Sequence, residues 1–565
     1  PVFQGCYCSR IPVKQGNRRC EAALLTAEAL GTVAAACHPG TPEMAQELRP
    51  AWSRLLFNQF HDVLCGSHID RVFQEAMEDY RQAEKDADRA VEKALSFCDQ
   101  GPGVKGETLQ TLWVFNPLAW VRTEAAEVRI SLTEGDVREV HVQTESGEQV
   151  PCQLSNVERH PSGGLKEFTL AFLASEVPGA GYKRYRLLAG KGKAATRNSL
   201  TWTGDGFHEI HQATIANEWL SLTLNAWTGA IESLRFLEEG WELIDQANPL
   251  GNVIVREEDR GDLWEYNAPC KGAATVPTAR PMPFPKPWEA VFSSRYPGAG
   301  SADGGPVYAE FRLSGPFGDG SRQTRVRVYA HTPRIDFRTT LVNQTKWVRY
   351  RAAFPTSLRD GKIVHEVPFG AIERPEGEYP AQNWMDYGDG EKGLGLLNRG
   401  LPGNNVTAGV MMLSLLKSAT IQGQPCDGAF ELGNEHHFDY ALYPHGGDWR
   451  DAGLPRRGIE YNFPLVVRAG NTTGRGPASF SLLRSEPENV VVTSVAREEG
   501  KLRIRLYEAS GRRVPASLWL GKRIASVRET NLLGQPSRRK TFFEGEEMKS
   551  HIGPFEIRQF EIELE

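Results

Sequence analysis

The chain has 565 residues, of which 40% are hydrophobic and 24% charged, and its formal net charge is −6. This length exceeds what one hydrophobic core supports and predicts about three to five domains. No stretch approaches the roughly 20 consecutive apolar residues of a membrane span. Lysines and arginines are scattered among acidic residues, so no basic field attracts a polyanion. The composition therefore disfavours both a membrane protein and a nucleic-acid partner.

Nine cysteines are spread along the chain, and none forms a Cys-x-x-Cys pair. An odd number without paired ligand spacing is typical of reduced thiols rather than of disulfides or a zinc site. Cys6 and Cys8 are the closest pair, which simple alternation along a strand explains. We therefore expect reduced thiols and a cytoplasmic location.

The first hundred residues predict three helices, because apolar residues recur at steps of three and four. The first is expected over about 17–37, before a Pro-Gly pair, and the second opens at Thr41-Pro42. The third is expected over about 67–97, with alanines on its inner face. Together they predict an antiparallel three-helix bundle over residues 1–100, with a turn at His61-Asp62.

After the turn-rich segment 100–106, the pattern changes to short alternating strands separated by Gly, Pro, Asn and Asp. The strands predict a small β-sandwich at 107–195, a large one at 208–485 and a terminal β-domain at 486–565. The predicted fold class is multidomain α plus all-β: an N-terminal three-helix bundle followed by antiparallel β-sandwich domains, the central one large.

Residues 58–62, Asn-Gln-Phe-His-Asp, are the most chemically suggestive short segment. A histidine can bind a metal through its imidazole while the adjacent carboxylate accepts hydrogen bonds from sugar hydroxyls. The same His-Asp pair also suits a helix cap with a satisfied polar contact. From these residues alone, the structural interpretation is favoured.

The segment resembles a loop of family 38 α-mannosidases, in which Asn-Gln-Phe-His-Asp is followed by a Gly-Ser or Gly-Thr turn. Residues 3–21 resemble the entry to the middle helical domain of that family, where a Gly-x-Tyr-x-Ser strand precedes a helix opened by Asn-Arg. Further ordered similarities lie at 217–220, 229–234, 369–375, 380–386, 393–398 and 437–445. Cys65 and His68 depart from the family pattern, which usually has a small residue, Pro or Thr at position 65.

The resemblance implies a retaining glycosidase with a zinc site held by two His and two Asp, one of which is the nucleophile. His61 matches one zinc ligand, and Asp62 matches the neighbouring carboxylate that binds the sugar. The other ligands belong to an N-terminal barrel domain, and no His-x-Asp opening precedes Gly5 in a chain that begins at Pro1. We therefore expect this chain to contain no catalytic residue, to be inactive alone and to bind zinc weakly or not at all.

An acidic and aromatic cluster at Glu258, Asp259, Asp262, Trp264 and Tyr266 suits the recognition of a sugar ring. The resemblance implies that a loop of the large β-domain reaches the active site. Asp262, Trp264 and Tyr266 are therefore candidate substrate-binding residues, although an ordinary surface loop fits the pattern equally well.

Two other groups of residues are weaker candidate sites. Trp384 and Asp386 form a weaker sugar-binding candidate, and core packing of the tryptophan is favoured. His436 and His437, with His445 nearby, resemble a metal cluster, but neighbours on a strand point to opposite faces.

The expected function is zinc-dependent hydrolysis of terminal α-mannosyl residues, with this chain as a fragment of a longer enzyme. The expected partners are a mannosyl oligosaccharide or small mannoside and the missing barrel domain, and a homo-oligomer is compatible with the sequence. A mannosylglycerate-type hydrolase is the alternative within this class. A non-catalytic carbohydrate-binding protein is the alternative outside it.

Overall fold

The structure is a computed structural model of the chain. It describes residues 3–38, 40–100, 102–104, 106–133, 135–192, 201–203, 212–265, 290–473, 476–539 and 541–565. The helices within these ranges are α1 (Ile11–Cys37), α2 (Met44–Asn58), α3 (His61–Leu64), α4 (Asp70–Leu95) and α5 (Leu454–Asn462).

The predicted helical bundle is confirmed, with α1, α2 and α4 as its long members and the one-turn α3 between the last two. Helix α1 begins at Ile11, earlier than the predicted start near residue 17. Pro12 fits the first turn, where its missing N–H has no intrahelical partner. Helix α2 continues through Pro50. The expected alanine face of α4 is buried and packs on α1 and α2.

Among the described residues, α1 is the one helix whose length and apolar content would suffice to cross a membrane. More than half of its most apolar stretch is buried. It packs against α4 on one side, and its Leu30 and Val33 join a core that includes Val490 and Ile504 of the terminal β-domain. This packing accounts for the apolar residues of α1.

Two antiparallel sheets form a small sandwich around a core that includes Leu112, Phe172 and Tyr185. One sheet has six strands. They are β1 (Thr108–Asn116), β3 (Val140–Thr144), β4 (Gln149–Val150), β7 (Gly181–Ala189), β28 (Val466–Gly470) and β29 (Ser479–Ser481). The other has three strands, β2 (Arg122–Ser131), β5 (Cys152–Arg159) and β6 (Leu165–Val177).

Three antiparallel sheets of five, six and nine strands make up the central region. The five-stranded sheet contains β8 (Thr201–Thr203), β9 (Gln212–Ala216), β10 (Leu220–Asn225), β11 (Ile231–Phe236) and β12 (Trp241–Glu242). The six-stranded sheet contains β13 (Val253–Glu258), β14 (Val291–Phe292), β19 (Val348–Pro355), β22 (Gly377–Pro380), β25 (Gly403–Thr407) and β26 (Val410–Ser418). The nine-stranded sheet contains β15 (Ala299–Gly304), β16 (Tyr308–Phe317), β17 (Gly320–Tyr329), β18 (Ile335–Val342), β20 (Lys362–Val367), β21 (Gly370–Arg374), β23 (Trp384–Gly388), β24 (Lys392–Asn398) and β27 (Glu435–Gly446). All three sheets contribute to one large apolar core.

The terminal region consists of two four-stranded antiparallel sheets. The first contains β30 (Leu483–Glu486), β33 (Val514–Leu520), β35 (Phe542–Glu544) and β36 (Glu547–Ile552). The second contains β31 (Val490–Glu498), β32 (Lys501–Glu508), β34 (Ile524–Thr530) and β37 (Ile557–Leu564). The predicted class of a helical bundle followed by antiparallel sandwiches is therefore confirmed.

Strand pairing crosses the predicted boundary at residue 485. β28 pairs with β1, and β29 pairs with β7, so residues 466–470 and 479–481 return to the small sandwich. β30 pairs with β33 and thus belongs to a terminal sheet. The domain boundaries stay predictions, with ranges 107–195, 208–485 and 486–565. The strand pairing shows that β28 and β29 join the small sandwich and β30 joins a terminal sheet.

Candidate functional site

The first two residues of the 58–62 segment hold the end of α2 inside the bundle. Asn58 is 3% exposed, and its Nδ2 donates to Asp79 Oδ2 at 3.0 Å. Gln59 Nε2 donates to Glu21 Oε1 at 2.7 Å and to Asn17 Oδ1 at 3.1 Å. Because these amides bond to α1 and α4, the turn that follows has a fixed starting point.

The next three residues face outward. Phe60 is 55% exposed, and the side chains of His61 and Asp62 are 80% and 69% exposed. His61 Nε2 lies 3.5 Å from Asp62 Oδ1, a solvated pair that contributes little to stability. The imidazole and the carboxylate are therefore accessible to a ligand.

Gly66 and Lys14 tie this turn to the segment before α1. Gly66 has a φ of 76°, and a Cβ at this position would lie 2.4 Å from Ser9 O. Lys14 Nζ donates to Cys65 O at 2.8 Å and also to Ser9 O. Burial lowers the pKa of Lys14 to about 8. Only glycine permits this close approach of the two backbones.

The thiols of Cys6 and Cys65 near this turn have pKa values shifted in opposite directions. A hydrogen bond from the Cys6 thiol lowers the pKa of Cys65 to about 5 and raises the pKa of Cys6. Cys65 Sγ also lies 2.8 Å from Ser67 Oγ. The backbone N–H of Cys65 also donates to His61 O at 3.4 Å, so this cysteine lies beside His61.

The loop after β13 packs on the same N-terminal segment. Ser9 Oγ donates to Leu263 O at 2.7 Å, and a Cβ on Gly5 would lie 2.7 Å from the backbone of Trp264. Lys417 Nζ donates to Asp259 Oδ2 and to Glu265 O, each at 2.8 Å. The segment 5–14 therefore joins this loop to the 61–66 turn.

Within the loop, Asp262 has a structural task, because its Oδ1 accepts the backbone N–H groups of Trp264 at 2.9 Å and Glu265 at 3.0 Å. Trp264 is partly exposed. Tyr266 lies outside the described residues. The assignment of Asp62, Asp262, Trp264 and Tyr266 as substrate-binding residues stays a prediction.

No three His, Cys, Asp or Glu side chains within the described ranges are grouped so that they could hold a metal ion. A catalytic zinc takes about three protein ligands, so His61 with Asp62 does not make a complete site. The described donors therefore do not fit a whole zinc centre, and His61 remains a predicted single ligand.

The rival candidates have separate structural partners. On β27, His436 is 6% exposed at its side chain and His437 is 56% exposed, so they point to opposite faces as alternation predicts. His445 Nε2 lies 3.0 Å from Asp386 Oδ1 in a buried pair. Trp384 is fully buried and packs against Trp449 in the core.

A cavity of about 830 Å³ lies where the bundle, the central region and the terminal region meet. It is lined by α1 and α2, by residues near β20 and by strands β31 and β32. Burial raises the pKa of two lining carboxyls, Glu28 and Glu366, to about 7 each. A smaller cavity of about 340 Å³ is lined by His61, Cys65 and Lys14. Gln59 borders both cavities.

Sequence reasoning did not find Glu28 or Glu366. Each lies in a regular element, in α1 and in β20, with no motif around it. Their perturbation arises from burial between elements that are distant in the chain, which a single sequence does not show.

Three family models match the chain. Residues 1–97 match the alpha mannosidase middle domain, and residues 215–422 match the glycosyl hydrolases family 38 C-terminal domain. Residues 489–560 match the glycosyl hydrolases family 38 C-terminal beta sandwich domain.

The relatives extend beyond this chain. It is 25% identical to alpha-mannosidase 2C1 of Mus musculus, over 100% of this chain and 50% of that protein. It is 23% identical to alpha-mannosidase G of Dictyostelium discoideum, over 99% of this chain and 52% of that protein. The chain thus spans about half the length of the curated relatives it matches.

Two solved structures from Enterococcus faecalis share the fold. A protein in the glycosyl hydrolase family 38 superposes with a TM-score of 0.83 at 17% identity, covering 99% of this chain and 71% of that one. An alpha-mannosidase superposes with a TM-score of 0.81 at 17% identity, covering 99% of this chain and 68% of that one. Because these three matches together cover most of the chain, the chain belongs to glycoside hydrolase family 38.

Proposed function

We propose that this chain is the middle helical and C-terminal β-domain part of an α-mannosidase, a retaining glycosidase that removes terminal α-mannosyl residues with the help of zinc. Membership of family 38 and the α-mannosidase names of its relatives support a glycosidase of this type. In this proposal, a barrel domain outside the chain carries the nucleophile and the general acid.

The observation that carries the proposal is the exposed His61-Asp62 pair. It follows the end of α2, which the hydrogen bonds of Asn58 and Gln59 fix in place. His61 would be one zinc ligand, and Asp62 would accept hydrogen bonds from mannose hydroxyls. Their exposure of 80% and 69% leaves room for a further domain to cover them. Asn58 and Gln59 fix the turn, so that little ordering entropy is lost when that domain docks.

In this proposal, the chain lacks the catalytic groups that hydrolysis of a mannoside requires. Retaining hydrolysis needs one carboxylate that attacks the anomeric carbon and one acid that protonates the leaving oxygen. His61 and Asp62 are one imidazole and one carboxylate, and the described donors do not complete a zinc site. The isolated chain is therefore proposed to be inactive.

The substrate in this proposal is a mannosyl oligosaccharide or a small mannoside such as mannosylglycerate. We also propose a cytoplasmic location, which the odd number and wide spread of the cysteines along the sequence support. Fractionation of cells that produce the full-length protein tests the location.

The deciding experiment compares this chain with the product of the whole reading frame on an aryl α-mannoside. The full-length protein should release mannose, lose activity on zinc removal and regain it on zinc addition, whereas this chain should be inert. A zinc-loaded full-length protein without activity refutes the proposal. Saturable, zinc-independent mannose binding by the inert chain would instead support a carbohydrate-binding protein.

A further inference from the structure

The 830 Å³ cavity between the bundle, the central region and the terminal region has no task in the α-mannosidase proposal. Its volume lies within the range of about 300–1,000 Å³ that is usual for ligand sites. We propose that this cavity binds a neutral oligosaccharide, with Trp52 and Phe369 as its aromatic contacts. The inference does not rest on the α-mannosidase proposal, because it uses only the side chains that line this cavity.

The charged side chains of the lining balance one another. Four arginines and four glutamates line the cavity. Arg18 forms an ion pair with Glu21, and Arg503 forms one with Glu498. An anion or a cation therefore meets no excess of opposite charge, and a purely apolar ligand would leave polar groups without partners. A neutral ligand that both donates and accepts hydrogen bonds fits this lining best.

Two further carboxyls are held in place by donors in the cavity wall. Trp52 Nε1 donates to Glu28 Oε1 at 2.8 Å. The backbone N–H of Asn383 donates to Glu366 Oε2 at 2.7 Å, and Asn383 Nδ2 donates to Glu366 Oε1 at 3.2 Å. A carboxyl oxygen has a second lone pair, so each group can also accept a sugar hydroxyl. Because these side chains are already ordered, their contacts with a ligand cost little conformational entropy.

Trp52 and Phe369 provide aromatic faces for the C–H side of a sugar ring. Trp52 on α2 is partly exposed, and its bond to Glu28 fixes the orientation of the indole. Phe369, between β20 and β21, has a φ of 60° and packs edge-on against Tyr507, with ring centroids 5.6 Å apart. A positive φ is unfavourable for a bulky residue, and such strain is concentrated at functional sites. Carboxyls, amides and aromatic faces together match the hydroxyls and C–H faces of a sugar chain.

Isothermal titration calorimetry of the purified chain with a mannotetraose and, separately, with a maltotetraose measures the binding. We expect saturable binding of at least one tetrasaccharide without added zinc, and the two probes distinguish a mannose chain from a glucose chain. Mannose alone should bind at least about tenfold more weakly, because one sugar ring makes only part of these contacts.

Variants of the aromatic residues locate the ligand. Trp52→Ala and Phe369→Gly should each weaken binding at least about tenfold, since each removes an aromatic contact. Glycine adopts the positive φ of position 369 without strain, so Phe369→Gly should fold, and Trp52→Phe should retain most of the affinity. Trp227→Ala is the matched control, because Trp227 is 50% exposed between β10 and β11 and does not line the cavity.

Circular dichroism checks that each variant is folded. Failure of both tetrasaccharides to bind overturns the proposal, as does binding that Trp52→Ala and Phe369→Gly leave unchanged. Binding that His61→Ala abolishes and the two aromatic variants retain would place the sugar in the 340 Å³ cavity and would also overturn it. Each of these results is independent of whether the full-length protein hydrolyses an aryl α-mannoside.

Discussion

In the segment 58–62, the side chains of Asn58 and Gln59 are bonded within the bundle, whereas those of the next three residues are exposed. Asn58 and Gln59 form hydrogen bonds to α1 and α4, while His61 and Asp62 are directed to solvent. Sequence pattern identifies the segment, but it assigns the same polar character to all four residues. Whether a side chain is bonded within the bundle or exposed depends on which helix it contacts. These contacts are known only from the folded bundle.

Gly66→Ala tests how strictly the turn is shaped. A Cβ there would meet Ser9 O at 2.4 Å in addition to the strain of a φ of 76°. We expect the variant to lose about 2–4 kcal/mol of unfolding free energy, since left-handed backbone alone costs about 1–2 kcal/mol for a residue with a Cβ. Urea denaturation followed by the helical circular dichroism signal measures the loss.

Gly40→Ala is the matched control, because Gly40 has a φ of 96° but no heavy atom within 4 Å of an added Cβ. Its loss should be about 1–2 kcal/mol, the backbone cost alone. Equal losses in the two variants would show that the contact with Ser9 does not constrain the turn.

At the level of elements, the loop after β13 depends on a buried ion pair. Lys417 on β26 and Asp259 have completely buried side chains 2.8 Å apart, and the same ammonium bonds Glu265 O. A buried charge without its partner is costly, whereas a buried pair is close to neutral against apolar replacements. The position of Asp262 and Trp264 therefore rests on Lys417.

Lys417→Met should lower the unfolding free energy by about 3–5 kcal/mol and release the loop to proteases. Limited proteolysis with mass mapping detects cleavage near residues 259–265. Adding Asp259→Asn should recover part of the stability, because it removes the buried negative charge that the Lys417 ammonium offsets. Wild-type stability and resistance in the single variant would contradict this account of the loop.

The sequence predicts which faces of helices and strands are buried, but it does not predict which strands pair in the sandwiches. The alanine face of α4 and the alternation of His436 and His437 follow directly from periodicity, and the structure agrees with both. The return of β28 and β29 to the small sandwich does not follow, because short strands carry no mark of their partners. Pairing is decided by edges and apolar faces that exist only after folding.

At the scale of the whole molecule, the 830 Å³ cavity joins three regions and makes stability depend on pH. Burial raises the pKa of Glu28 and Glu366 to about 7 each, above their usual value. Below about pH 4.5, both groups are protonated in folded and unfolded chains. Above it, the two carboxyls ionise first in the unfolded chain, so their contribution to stability falls until about pH 7 and then levels off.

Each carboxyl should therefore favour pH 5 over pH 8 by a difference of about 1–3 kcal/mol, while His68, His331, His365 and His436, whose pKa values burial lowers, act in the opposite direction. Glu28→Gln and Glu366→Gln should each reduce this difference, and the double variant should reduce it most. Thermal unfolding at the two pH values provides the measurement. A pH dependence unchanged in the double variant would mean that other groups cause it.

The central claim is that His61 and Asp62 form one wall of a zinc-dependent mannosidase site. His437 offers a matched control, because it is also exposed and lies 3.3 Å from the carboxylate of Glu435. Its replacement should leave the mannosidase site intact, because His437 does not line the cavity that contains His61.

The most direct measurement is zinc content and aryl α-mannoside hydrolysis by the full-length protein with His61→Ala or His437→Ala. We predict that His61→Ala loses most of its bound zinc and at least about a hundredfold in activity, as loss of a metal ligand requires. His437→Ala should match the unmodified protein in both. Full zinc content and full activity in His61→Ala would contradict the claim.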